Sequence, residues 1–145
     1  MITIRKVTNS DFPTWLKLRK TLWPKEEIHA LYQEMQEIYS KIDENPVFLA
    51  FSDDDIAGFI ECSIHLHAPG CKTKKIAYIE GWFVYEHYRF LGIGRALMEE
   101  AFTWSRSFGI TEVASDTTID YPLSPKAHEA IGFIETVPLH YVKLL

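Results

Sequence analysis

The chain is poor in cysteine. Cys62 and Cys71 are the only two in 145 residues, and they lack both the paired spacing of a structural zinc site and the density of a disulfide scaffold. They read as free thiols of a protein working in a reducing cytoplasm. Long apolar runs are also missing: none approaches the ~20 residues a membrane-spanning helix needs, and Met1-Ile2-Thr3-Ile4-Arg5-Lys6 has no apolar core behind its charges. Neither export nor membrane insertion is expected. Basic residues are outnumbered, with 15 Lys+Arg against 20 Asp+Glu and a formal charge of −5. A surface that tracks nucleic-acid phosphates needs clustered excess cation, so that class of partner is excluded. His65 and His67 share a period-two spacing but have no third ligand in register, so no metal is expected.

What remains is a globular composition, 47% apolar and 14% aromatic. At this length a single core can bury roughly 68% of the surface exposed by the unfolded chain. With no internal repeat, low-complexity tract or linker, residues 1–145 are expected to form one domain.

Period-two alternation in Ile2–Val7 predicts a strand, and Thr8-Asn9-Ser10-Asp11 supplies cap types before Phe12, Trp15, Leu16 and Leu22 recur at helical spacing. Pro24 stops that helix. Ile28, Leu31, Tyr32, Met35, Ile38, Tyr39 and Ile42 mark a second, ended by Asn45-Pro46. Val47–Phe51 and Ile56–Ile64 flank the polar cluster Ser52–Asp55 as a hairpin, and Ile76–Val84 adds a third strand to the meander. A glycine-bearing turn then leads into a helix ended by Gly109. Thr111–Asp116 returns as a strand, and a strand-helix-strand unit of this kind makes its two strands parallel. A short helix opens at Ser124-Pro125 and is capped at Gly132. Two strand-like runs, Phe133–Val137 and Leu139–Leu145, close the chain.

The chemistry concentrates at Arg89-Phe90-Leu91-Gly92-Ile93-Gly94, between a strand end and a helix start. Glycines admit close backbone approach, and the free N–H groups and positive dipole end of a helix attract an anion such as a pyrophosphate. The spacing is neither the GxGxxG of dinucleotide folds nor the GxxxxGK[ST] of nucleotide triphosphatases. On spacing alone it serves an anion or merely a tight turn.

In its context, from Val84 to Leu97, this turn resembles the acyl-CoA-binding motif of the GNAT N-acetyltransferase superfamily, and the order of elements is similar along the whole chain. The resemblance implies a single-domain α/β fold with a mixed, mostly antiparallel sheet whose central parallel strand pair splays at the acetyl-CoA site. It implies acetyl-CoA as acetyl donor. Arg89, Phe90, Leu91, Gly92, Ile93, Gly94 and Arg95 would hold the pyrophosphate, and Phe83 and Val84 would pair with the pantetheine arm. Leu18–Pro24, Ile79–Val84, Ala114–Thr117 and His128–Thr136 are further similar to segments of bacterial aminoglycoside 6'-N-acetyltransferases.

An amine attacks a thioester only with its lone pair free, so something must accept a proton. Glu80 and Asp116 are the candidate bases and acceptor anchors, on adjacent strands beside the gap, and carboxylates there suit a small cationic amine. Their structural alternatives are a carboxylate bonded to backbone at an irregularity near Gly81, and a turn cap. Many GNAT members place a tyrosine on the short helix as the acid for the departing thiolate; here His128 stands there, with Tyr121 and Tyr141 as substitutes. Trp23 is a candidate wall of the acceptor pocket or a core residue. Tyr121-Pro122 departs from the asparagine many relatives use to contact the cofactor. The acceptor expected first is the 6'-amine of an aminoglycoside, with a polyamine or amino sugar as the alternative, and a noncatalytic acyl-CoA-binding relative as the reading from another class. A homodimer is expected from the resemblance and from an apolar C-terminal strand, Tyr141–Leu145, with an edge free to pair.

Overall fold

The structure, a computed structural model, describes residues 1–145. Strand β1 (Ile2–Lys6) leads into a 3-10 turn at Asn9–Asp11 and helix α1 (Phe12–Leu22). Thr8 and Asp11 form a reciprocal capping box at that junction, which is why the chain reverses there. Helix α2 (Ile28–Ser40) is followed by the meander β2 (Val47–Ser52), β3 (Asp55–His65) and β4 (Ile76–Val84). Helix α3 (Ile93–Ser107), β5 (Glu112–Asp116), α4 (Ser124–Ala130), β6 (Ile134–Val137) and β7 (His140–Leu144) complete the chain.

All seven strands form one sheet in the order β1-β2-β3-β4-β5-β7-β6. Every neighbouring pair is antiparallel except β4 and β5. Each face is covered by a separate apolar cluster. On one face α3 packs Leu97, Met98, Ala101 and Phe102 against Ile60, Cys62, Ala77 and Val113. On the other, α1 and α2 bring Trp15, Leu18 and Met35 onto Val47, Leu49 and Phe59. Strands covered on both faces read as continuous apolar runs, as in Val47–Ala50.

One expectation is corrected. The C-terminal strand has no free edge: β7 lies between β5 and β6 and pairs with both. The edge strand on that side is β6, and its Ile134 and Val137 are exposed.

Two irregularities position the site. The parallel pair is joined over three positions only, Ala77 to Val113, Tyr78 to Ala114 and Ile79 to Ser115, so β4 from Glu80 onward has no β5 neighbour and the sheet opens. Across β3, Cys62 faces Ile79 while Glu61 faces Gly81. Glu80 is thus the extra residue of a β-bulge, a device that re-aims a side chain.

Candidate active site

The bulge turns Glu80 onto the α1/α2 face. Its Oε2 accepts hydrogen bonds from Ser63 Oγ and from His65 Nε2, the latter at 2.8 Å. Ser63 and His65 belong to the period-two row Glu61-Ser63-His65 of β3, so one face of one strand supplies both donors. The bonding partners are therefore side chains, unlike the backbone partners of the structural alternative. The His65 ring stacks on Tyr78, with centroids 4.3 Å apart and planes at 13°. The Tyr78 hydroxyl in turn donates to Asp116 Oδ2. Burial and the bond to Asp116 push the Tyr78 hydroxyl above its ordinary range, so it stays protonated and donates. Asp116 is exposed, and the turn-cap alternative receives no support from its partner.

Beside Glu80 lies a cavity of about 550 Å³, lined among others by Arg19, Trp23, Glu34, Glu37, Glu61 and Glu80. Its floor is a buried polar network that sequence reasoning missed. Glu61 accepts from Trp15 Nε1 at 2.8 Å and from Arg19 Nε at 2.7 Å. Arg19 also donates to the Leu31 carbonyl and to Glu34 on α2. Three elements, α1, α2 and β3, are thereby tied beneath one pocket. Trp23 lies over the Arg19 guanidinium, 4.9 Å away, and edge-on to Phe59, so it is at once pocket wall and core edge. A Cβ on Gly81 would sit 2.8 Å from the Trp23 ring, which is why the residue after Glu80 is glycine. Tyr121 donates to the Leu22 carbonyl at 2.7 Å and so fastens the loop after β5 to the end of α1.

The opposite face carries the turn. Gly92 caps α3 in the left-handed region, at φ 86°, and Phe90 shares that region at φ 65°. The first intrahelical bond runs from Ala96 N to Gly92 O, and the N–H groups of residues 91–95 make no hydrogen bond within the protein. This is the free donor set of a helix N-terminus. The side chains of Phe90 and Leu91 are largely exposed. Two arginines brace the turn: Arg89 Nε donates to Val84 O at 2.9 Å, and Arg95 donates to the Ala130 carbonyl of α4 at 3.0 Å. Phe83 and Val84 close β4 beyond the point where β5 has left it.

His128 is buried on this same face. A carbonyl can only accept, so Nδ1–H donates to Ser124 O at 2.8 Å, and Nε2 of the neutral ring accepts from Ser115 Oγ at 2.7 Å. Tyr141 stacks on it at 4.5 Å, with Trp82 and Phe133 edge-on. Burial pulls its pKa below the ordinary histidine value, against the opposing pull of the Ser124 carbonyl and Asp116. Glu80 and Asp116 are thus brought together on one face, while His128 lies behind Ser115 on the other, with the sheet opening between them. Tyr141 is spent on Glu135 and Tyr121 on Leu22.

A helix start rich in free donors lies on one side of an opened parallel pair and carboxylates on the other, an arrangement that suits an α/β acyltransferase. The model of the acetyltransferase (GNAT) family matches residues 12–133. The chain belongs to that family. It is 38% identical over 135 residues to aminoglycoside N(6')-acetyltransferase type 1 of Klebsiella aerogenes, covering 91% of this chain and 89% of that protein. It is 36% identical to the enzyme of the same name from Acinetobacter genomosp. 13, with 98% and 97% covered. Among solved structures it is similar to AAC(6')-Iy in complex with the bisubstrate analogue CoA-S-monomethyl-acetylneamine, at TM-score 0.88 and 32% identity over 94% of this chain and 93% of that one. AAC(6')-Ih from Acinetobacter baumannii superposes at TM-score 0.86, with 34% identity over 94% and 93%.

Proposed function

We propose that this chain is an acetyl-CoA-dependent aminoglycoside 6'-N-acetyltransferase, transferring the acetyl group by direct attack of the acceptor amine in a ternary complex. The observation that carries the reading is the placement of two carboxylates, Glu80 and Asp116, across the sheet opening from a helix start with five unpaired N–H groups. Supporting it, relatives bearing that activity in their names match nearly the whole chain.

The donor lies on the α3 face. The N–H groups of residues 91–95 hold the pyrophosphate, and Arg89 and Arg95 brace the turn. The open β5 side of Phe83 and Val84 pairs with the pantetheine arm, so the thioester reaches the opening. Gly94 fits this role: a Cβ there would make only ordinary contact, 3.5 Å from Trp82, so the fold does not require glycine, although glycine in a helix costs up to about 1 kcal/mol relative to alanine. Close ligand approach accounts for it.

The acceptor enters the acidic cavity, where four carboxylates face two cations among the lining residues. Glu80 and Asp116 orient the ammonium group and take its proton, directly or through water, freeing the lone pair. Trp23 presents an aromatic face to the sugar ring and its charges. For the thiolate, His128 acts from behind Ser115: in its protonated form Nε2–H donates to Ser115 Oγ, and the serine hydroxyl passes its own proton to the sulfur. The enzyme works in the cytoplasm. No helix is long and apolar enough to cross a membrane. It works as a homodimer, with the edge strand β6 and its exposed Ile134 and Val137 as the pairing element; sedimentation showing only 16.8 kDa particles at micromolar concentration removes the dimer.

The test is thiol release from acetyl-CoA with a panel of amines: aminoglycosides with and without a 6'-amine, a polyamine and an amino sugar, with the acetyl position assigned by NMR. Transfer confined to 6'-amino compounds is expected. Faster transfer to a polyamine, or CoA binding without turnover on any amine, overturns the assignment.

A further inference from the structure

Resting on the reading of Glu80 and Asp116 as acceptor-side bases, we propose that the stacked pair His65–Tyr78 is the positioning element for both carboxylates, each ring fixing one of them. The two rings come from adjacent antiparallel strands and lie nearly parallel, 4.3 Å apart. Each spends its polar atom on a different base. His65 Nε2 bonds Glu80 Oε2, and the Tyr78 hydroxyl bonds Asp116 Oδ2.

Both bonds to Glu80, from Ser63 and His65, fall on the same oxygen. Oε1 is left for an incoming ammonium group or a water. Asp116 is treated alike, with Oδ2 held and Oδ1 free. An exposed carboxylate on a bulge would otherwise sample several rotamers, and a reacting group misplaced by about 1 Å costs up to 10²-fold in rate. The stack also couples the two holds mechanically, because tilting either ring displaces the other. Neither residue needs to touch the substrate. They are positioning residues, with the carboxylates as the groups in contact.

The arrangement allows variants that remove one hold and keep the stack. His65→Phe retains a ring over Tyr78 but loses the donor to Glu80. Tyr78→Phe retains the ring under His65 but loses the donor to Asp116. Each should lower kcat/KM for the acceptor amine about tenfold. The KM for acetyl-CoA and the melting temperature should stay as in the parent protein, whereas loss of a merely structural residue would move the melting temperature instead. His65→Gln, whose amide can donate to Oε2, should restore most of the loss. On a Glu80→Gln background, His65→Phe should add nothing, because a residue acting through another is non-additive with it. Should His65→Phe not yield folded protein, His65→Leu takes its place.

Parent-like kcat/KM in both ring variants, while Glu80→Gln and Asp116→Asn are slow, overturns this inference and spares the assignment of the bases. Parent-like rates in all four variants overturn the assignment of the bases and this inference together.

Discussion

Gly94→Ala separates what the fold needs from what the cofactor needs. Gly94 lies in the first turn of α3, and a methyl group there would meet the Trp82 indole at 3.5 Å or more, an ordinary contact. Replacing glycine by alanine within a helix stabilises by up to about 1 kcal/mol, which for a domain of this size raises Tm by roughly 3 °C. Gly94 lies among N–H donors that have no partner in the protein, and on the proposed placement of the pyrophosphate an added methyl group keeps the ligand from closing on them. A tenfold loss of CoA affinity corresponds to about 1.4 kcal/mol, and at least that is expected. Stability and affinity therefore move in opposite directions in one variant. Differential scanning calorimetry and isothermal titration with CoA on the same preparation read both. Unchanged affinity with a raised Tm would refute the placement of the pyrophosphate. Gly92→Ala is the contrasting control: at φ 86° it forces a side chain into the left-handed region at a cost of about 1–2 kcal/mol, so both quantities should fall.

Glu61→Ala removes one of two carboxylate partners of a guanidinium that is only 1% exposed; leaving a buried charge with no partner costs about 3–5 kcal/mol, and with Glu34 still in place urea unfolding should show a loss below that. Gly81→Ala places a Cβ 2.8 Å from Trp23, so the indole must shift; steady-state kinetics should show a raised KM for the acceptor and an unaltered KM for acetyl-CoA. His128 is held neutral with its pKa lowered below 6.5 by burial. The unfolded chain therefore takes up a proton that the native one refuses, and stability should decline as pH falls below about 6.5. His128→Gln should flatten that part of the stability profile, and an unchanged slope would show that His128 titrates as freely in the native protein as in the unfolded one.

Much of the fold was legible because it is local. β4 from Ile76 to Val84 and α4 from Ser124 were read at their observed starts, and the parallel relation of β4 and β5 follows from the helix between them. The insertion of β7 between β5 and β6 was not legible, since strand order at a sheet's end depends on non-local pairing. The turn was legible from glycine spacing. The partners of Glu80 were not: Ser63 and His65 lie 17 and 15 residues away and meet it only because of a bulge that no composition signals. The period-two row Glu61-Ser63-His65 was the available clue, but the spacing was read only for His65 and His67, as metal ligands. Arg19 was hidden in another way, because a cation on an amphipathic helix ordinarily faces water, and only the opposing Glu61 draws it inward.

The bulge has a further consequence, one of phase. Along β4, Tyr78 lies on the side of the sheet that carries α1 and α2, in a small cluster with Ile76 and Ala114, and Ile79 joins the α3 cluster. After the bulge Gly81 again meets Trp23 and Trp82 again joins the α3 cluster. Alternation is thus resumed in step on either side, with Glu80 as the one residue outside the count. Deleting Glu80 would leave every other side chain of β4 on its present face, with Glu61 still opposite Gly81 and Cys62 opposite Ile79. Glu80 is an inserted residue on an otherwise alternating strand, so the register of β4 does not depend on the identity of its side chain.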